Sequence, residues 1–481
     1  MGVTTNIPLG TGYYISESLP NATIECQNFY VNVPEAAGIS AAQLYSTPGL
    51  VQRASSGDTD ANRGAHVLND EPYFVNGNVL YRLEADNALT NLGTIEGTGF
   101  VSMADNGTQL MIVVPGTRTG YIYTKAGGLV TITDATFTDP AKAPPEIVVF
   151  IGGFFAVSRA SKEFFHSNLN NGLVYNALDF GAAEADPDII RSLHVYKNQL
   201  YVFGSETIEV FNLVGGAGFV FQRIQGFVIP KGIASPFSVT DFDGSFAFIG
   251  QGVNESPKVY VWSGSGVTPI SHTAIDILLQ SANDIENIFA WNYTFRGATF
   301  LGFSSNSSGT FVFDSKASSL AGAKVWHTRL SRNLQDKNRW RVNSIVTAYN
   351  RLLVGDSESG RIGSIENDIY TEYGNTIRRI FSLPTFENNS EYVFFNYIET
   401  VIDSGQGQTG LPTPQIYMEY TDDARTPYRS RGGRSAGNVG QYSVKQRWQQ
   451  LGSTNRYRIF RFICDAPVRW TILKALVNID G

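Results

Sequence analysis

Cysteine is nearly absent: Cys26 and Cys464 are the only two in 481 residues. Two thiols build neither a disulfide framework nor a four-ligand zinc site. They stand near opposite ends, so a bridge would require the termini to meet, and the low count favours two free thiols. Charge is also scarce, at 16% of residues, and 43 acids outnumber 36 bases for a net charge of -7. A free-standing nucleic-acid binder carries a basic face, which the global balance argues against. The histidines His66, His166, His194, His272 and His327 are far apart, and no pair has the i, i+4 spacing of a metal-binding helix. No phosphate-binding P-loop sequence occurs. The longest apolar stretch, Ile147 to Val157, contains two glycines and falls short of the ~18 residues of a membrane span. Met1 to Ser18 has no basic and apolar leader pattern, and Asn6 stands where myristoylation needs Ser or Thr. The expectation is a soluble protein made in a cytosol.

What is abundant points to strands. Hydrophobic residues reach 42%, enough for a sizeable core. Glycine numbers 48, tyrosine 23 and phenylalanine 31, the residues of tight turns and short strands. The fold class expected is all-β. The length suits two or three modules, or one large repeat fold.

A repeat is visible. After an irregular start and a polar stretch from Ser55 to Asn62, the chain settles into units of alternating strand, Gly/Asn/Asp turn and aromatic strand. Tyr73-Phe74-Val75, the turn Asn76-Gly77-Asn78 and Val79-Leu80-Tyr81 are the first; Asn-Gly between alternating apolar residues is a strong hairpin signal. Further units start near 101, 147, 193, 237, 288 and 343. That spacing of about 45 residues is the period of a four-stranded propeller blade. Stacked blades bury faces that one short sheet leaves open. A six- or seven-bladed β-propeller over 63–380 is expected. Thr273 to Asn287 interrupts it with Ile275, Leu278, Leu279 and Ile285 near helical spacing, a short helical insertion with Ser271 or Thr273 as N-cap. Residues 381–481 read as a C-terminal β-module holding an Arg/Gly-rich, flexible loop at 422–442. Residues 1–62 read as an arm contributing to that base module.

Most chemical motifs fail on context. Gly405 to Gly410 matches G-x-G-x-x-G, but Pro412 and Pro414 follow where a helix must begin. Gly433 to Gly437 matches G-x-S-x-G, but arginines precede it and no histidine follows His327. Asp241 to Gly244 resembles a calcium loop without the later carboxylates, so a hairpin turn is the better reading. Glu184, Asp186 and Asp188 form an acidic cluster around Pro187. Paired carboxylates serve glycoside hydrolysis, though a solvated turn is the plainer reading. No catalytic, cofactor-binding or metal-ligating residue is assigned.

Charge is unevenly spread. Residues 1–323 carry 15 basic and 28 acidic groups, whereas 324–481 carry 21 and 15. The basic run includes Arg425, Arg429, Arg431 and Arg434, then Lys445, Arg447, Arg456, Arg458, Arg461 and Arg469, interleaved with aromatics. Three readings stay open: a dock for an acidic protein surface, a nucleic-acid contact, and a solvated loop with ordinary strand exteriors.

The central sequence resembles a known family. Phe203-Gly204-Ser205-Glu206-Thr207-Ile208-Glu209-Val210-Phe211-Asn212-Leu213, followed by Lys231-Gly232-Ile233-Ala234, is similar to the packaged-DNA stabilisation proteins, the tail hub or nozzle family of short-tailed bacteriophages. Gly99 to Ala104 and Ala274 to Leu279 resemble further family blocks, in matching order. The likeness is clearest over residues 95–290, and the 422–442 loop has no match. The resemblance implies a propeller with accessory β-modules and a non-enzymatic virion component without cofactors, made in the host bacterial cytoplasm. It implies a homohexameric ring below the portal-adaptor that continues the DNA channel, retains genomic DNA and carries a tail needle with tailspikes or fibres. Gly204, Ser205, Thr207, Glu209, Lys231 and Gly232 are then structural, with Glu206 and Glu209 either at an interface or merely turn and strand exterior. The rival is a carbohydrate-binding or glycan-cleaving propeller, recognisable by two opposed carboxylates in an aromatic funnel. A cellular scaffold propeller is a third option.

Overall fold

The computed structural model describes residues 3–57, 59, 61–183, 188–216, 218–334, 338–389, 391–407 and 410–480. Seven antiparallel sheets follow one another from residue 62 to residue 366. Their first strands are Asn62–Leu68, Ser102–Asp105, Pro145–Ile151, Ile190–Tyr196, Gly232–Ile233, Phe289–Phe295 and Val342–Ala348. In six of the seven, the first hairpin turns on two residues with positive φ: 69–70, 152–153, 197–198, 243–244, 296–297 and 349–350. Such turns match the right-handed twist of short strands and favour Asn, Asp and Gly. The shared turn makes the sheets repeats of one unit.

Each sheet packs against the next through its own buried cluster, seven clusters in all. In the last, Phe74 and Leu83 of the first sheet meet Leu353 and Ile362 of the seventh, which closes a seven-bladed ring. The seventh blade looks weak in sequence because only three of its strands lie between 342 and 366. Its fourth is Gly49–Ser55, which pairs antiparallel with Arg361–Glu366. The arm at 1–62 is therefore divided, and its end is a propeller strand rather than part of the base.

The rest of the arm joins the C-terminal residues in a β-sandwich. One sheet combines Val3–Ile7, Phe29–Asn32 and Gln43–Ser46 with Val393–Ile402, Gln446–Gln449 and Thr471–Asp480. The other combines Cys26–Gln27 with Arg379–Ser382, Gln415–Thr421, Arg429–Ser435 and Tyr457–Cys464. It runs on into the sixth blade through the Thr328 to Gln27 pairing. Phe29, Phe381, Phe462, Trp448 and Trp470 fill the space between the sheets. The chain ends do meet, with Val3 opposite Ile479. Cys26 and Cys464 nevertheless stay free and buried, because strand Arg379–Ser382 lies between them.

Two local readings change. The inserted helix is Thr273–Gln280, followed by a separate 3-10 turn at Ile285–Asn287. Its N-cap is His272, without a side-chain cap bond. The Ser271 hydroxyl is instead occupied by Asp276 at 2.5 Å and by the Val259 N–H at 3.1 Å. The fifth blade begins at Gly232–Ile233, ahead of the unit start expected near 237; its next strand is Thr240–Phe242, and Phe237 turns toward the ring axis.

Candidate docking and channel surfaces

The ring axis is closed by aromatic side chains. Phe100 follows the first blade, and its ring lies 5.5 Å from Phe237 of the fifth blade and 5.0 Å from Phe289 of the sixth. Residues from opposite sides of the ring therefore meet across the hole. Gly99 positions Phe100 by adopting positive φ and lending its carbonyl to the Arg63 guanidinium at 2.7 Å. A pit of about 360 Å³ remains at this centre, walled by Val101, Trp291, Asn292, Asn343 and Ile345 among others. None of its described lining residues is a carboxylate, so the opposed acid pair of a glycosidase is not in it. Of the acidic cluster, Glu184 and Asp186 lie outside the described residues.

Asp188 has an internal role that explains the 203–234 block. Its Oδ2 accepts the N–H groups of Glu206 and Thr207, both at 2.9 Å, and the Thr207 hydroxyl at 3.2 Å. A Cβ on Gly204 would stand 2.1 Å from that oxygen, and one on Gly232 would stand 2.2 Å from the Glu206 nitrogen. Both glycines are thus demanded by one capped turn at Ser205-Glu206. Glu209 is no strand exterior: it is 1% exposed and holds Arg223 at 3.2 Å. Lys231 pairs with Glu255, and Glu206 stays exposed. This block is a latch between the fourth and fifth blades. Asp243-Gly244 is a hairpin turn between Thr240–Phe242 and Ser245–Gln251, and the Asp243 carboxylate accepts the hydroxyl of Ser315, the first residue of a helix in the sixth blade.

The basic run divides in two. Arg447, Arg458 and Arg461 are used up inside the sandwich. Arg447 meets Glu399 at 2.6 Å and stacks 4.0 Å over Tyr397. Arg458 is buried, bonds Asp422 at 2.6 Å and stacks 4.3 Å over Tyr420. Arg461 bridges Glu419 at 2.8 Å and Glu25 at 3.6 Å. Burial pushes the Glu25 carboxyl up, against the pull of Arg461. Those acids lie outside the run in sequence, which is why the sequence overstates its free charge.

The 422–442 segment is not a loop throughout. Arg429–Ser435 is an edge strand on Gln415–Thr421, bulged between Tyr417 and Glu419. Gly433 allows the Tyr417 ring to lie where a Cβ would clash at 2.9 Å. Arg434 turns inward, donating to the Arg447 carbonyl at 2.8 Å and lying 5.6 Å over Trp448. Ser435 accepts the Gly437 N–H within its own turn, so the G-x-S-x-G match is a turn. Among the described residues, the Arg431 side chain reaches only Tyr420, at 3.3 Å. Arg425 and Arg429 are exposed and have no side-chain partner among the described residues. Also among the described residues, no group of three His, Cys, Asp or Glu is placed to hold a metal, and no helix is long and apolar enough to cross a membrane.

Known proteins match both parts. The N-terminal match is to the family described as "Bacteriophage P22 Gp10, beta-propeller", over residues 5–370. The C-terminal match is to "Bacteriophage P22 Gp10, beta-sandwich", over residues 378–480. The tail hub protein gp10 of Salmonella phage P22 is 25% identical over 379 residues, covering 75% of this chain and 76% of that protein. Among solved structures, streptogramin B lyase is 9% identical with a TM-score of 0.44, covering 66% of this chain and 98% of its own. The N-terminal domain of Nup159 is 13% identical with a TM-score of 0.42, covering 75% of this chain and 97% of its own. Those two likenesses are too loose to bear on function. Two consecutive matches span the propeller and the sandwich in turn, and the chain belongs to the phage P22 Gp10 family.

Proposed function

We propose that this chain is the structural tail hub of a short-tailed phage. Six copies form a ring below the portal-adaptor, continue its DNA channel, hold packaged DNA in place and carry the needle with tailspikes or fibres. The protein resides in the virion tail after synthesis in the host cytoplasm. The observation that carries this reading is the family match across both modules, with a relative named as a tail hub.

The physical features agree with it. The propeller axis is bridged by Phe100, Phe237 and Phe289, so the DNA path runs between copies and not through a propeller. An acidic body passes DNA without gripping it, since phosphate affinity grows with each Lys or Arg contact. Arg425, Arg429 and Arg431 form a dock for an acidic protein surface. The work is assembly and steric closure, without bond chemistry. A map of the assembled tail tests this: six copies around the channel axis are expected. A peripheral position on the appendages alone would overturn the reading.

A further inference from the structure

The pit at the propeller axis has a chemistry that the hub role leaves unused. Its volume, about 360 Å³, lies in the range of small-molecule pockets, which begins at about 300 Å³. The floor is aromatic: Phe100, Phe237 and Phe289 close the hole, and Phe100 and Phe237 keep part of their surface exposed. The walls are the innermost strands Asn62–Leu68, Phe289–Phe295 and Val342–Ala348. Each of these pairs with one neighbour only, so its other edge presents backbone N–H and C=O groups toward the axis.

The lining offers no free charge. None of its described residues is a carboxylate. Its one charged side chain, Arg63, is buried, and its guanidinium is spent on the carbonyls of Gly77, Ile95, Glu96 and Gly99. An anion finds no open guanidinium there, and a cation finds ring faces without a counter-charge. The polar side chains that remain are neutral. The Asn292 amide nitrogen is fixed by Thr240 Oγ1 at 2.8 Å and by the Asp241 carbonyl at 2.7 Å, which leaves its Oδ1 without a partner among the described residues. Ser344 donates its hydroxyl to Asn62 Oδ1 at 2.7 Å and keeps its own lone pairs.

We infer that this pit binds a neutral saccharide ring. A pyranose carries an apolar face of C–H groups, which packs on phenylalanine rings, and an edge of hydroxyls that both donate and accept. Phe100 and Phe237 receive the C–H face. Asn292 Oδ1, the Ser344 oxygen and the open strand edges take up the hydroxyls. Hydrolysis needs two opposed carboxylates, so the ring is bound and not cleaved. The site is separate from the hub role: its failure leaves that role standing.

Saturation-transfer NMR of the full chain with D-glucose, D-galactose, D-mannose and N-acetyl-D-glucosamine tests the site. At least one sugar is expected to give a signal and a millimolar Kd, the scale that the few atoms of one ring allow. Phe100→Leu keeps the plug apolar but removes the flat ring, and Asn292→Ala removes the acceptor. Each should raise that Kd by about fivefold or more. Thr347→Trp blocks the pit from an exposed position, so it should abolish the signal and melt like the wild type. D-Glucuronate should bind no tighter than D-glucose, because the pit offers its carboxylate no free cation. Silence from all four sugars, a signal that survives both Phe100→Leu and Thr347→Trp, or a preference for glucuronate of about tenfold overturns the assignment. The hub reading fails separately, through particles that keep their DNA without this protein.

Discussion

The propeller and the sandwich are both antiparallel β-structures, yet they are assembled from the chain in opposite ways. In five of the seven blades every strand pairs with its sequence neighbour, and in the fifth Gly232–Ile233 skips only the short Thr240–Phe242 to reach Ser245–Gln251. In the sandwich the central strand Thr471–Asp480 pairs with Val3–Ile7, Gln43–Ser46 and Val393–Ile402. Local pairing forms early and at low loop-closure cost, whereas pairing across the whole chain waits for both ends. The seventh blade borrows the sandwich's strategy, because Gly49–Ser55 completes it from the far end of the sequence. The difference shows where the fold is vulnerable: at the few strands that tie the N-terminal arm to everything else.

The sharpest way to break the comparison is to delete residues 49–55. The ring then loses its closing strand, and calorimetry should replace one cooperative propeller transition with a broad, lower one. Truncating Arg458 to Ala should cost about 2–4 kcal/mol, because it empties a buried site and takes the donor from the Leu451 and Ser453 carbonyls. Chemical denaturation measures that loss. Asp314 adds a pH dependence to the sixth blade. Burial pushes its carboxyl up to about 6, although it caps the helix Ser315–Ala321 through the Ala317 N–H at 2.9 Å. Its folded value exceeds the unfolded one, so its own contribution to stability is fully present below pH ~4 and is lost as pH rises through about 6. The fall is at most about 3 kcal/mol. Asp314→Asn keeps the cap and should remove that slope in urea melts taken across the window. Gly204→Ala should cost about 1–3 kcal/mol by forcing Asp188 out of the latch. Arg425→Ala with Arg429→Ala should change stability by less than about 0.5 kcal/mol, since both side chains are exposed and neither has a partner among the described residues.

Legibility followed the same division. The blade period, the paired Asn, Asp and Gly turns and the short helix near 273 were readable because each depends on residues a few positions apart. The Asp243-Gly244 hairpin and the rejection of the motif matches came from the same local rules. The sequence period alone does not decide between six and seven blades, because the last blade's fourth strand, Gly49–Ser55, lies before the first blade. Glu209 was read as an interface or strand-exterior residue, but Arg223 in the neighbouring strand neutralises it in the interior. The Arg-rich run looked more available than it is, because Glu25, Glu399, Glu419 and Asp422 reach it only through the fold. Arg429–Ser435 looked like a loop because its two glycines carry no strand signal; pairing with Gln415–Thr421 overrides that. Phe100, inside one of the family-like blocks, had no visible reason to plug an axis until blades on the far side supplied Phe237 and Phe289.

The most direct measurement is the DNA content of particles assembled without this protein. Heads that package normally and then lose their DNA are the predicted result, because the ring that closes the exit is missing. Heads that stay full but fail to infect would contradict the account and move the function to adhesion or glycan cleavage.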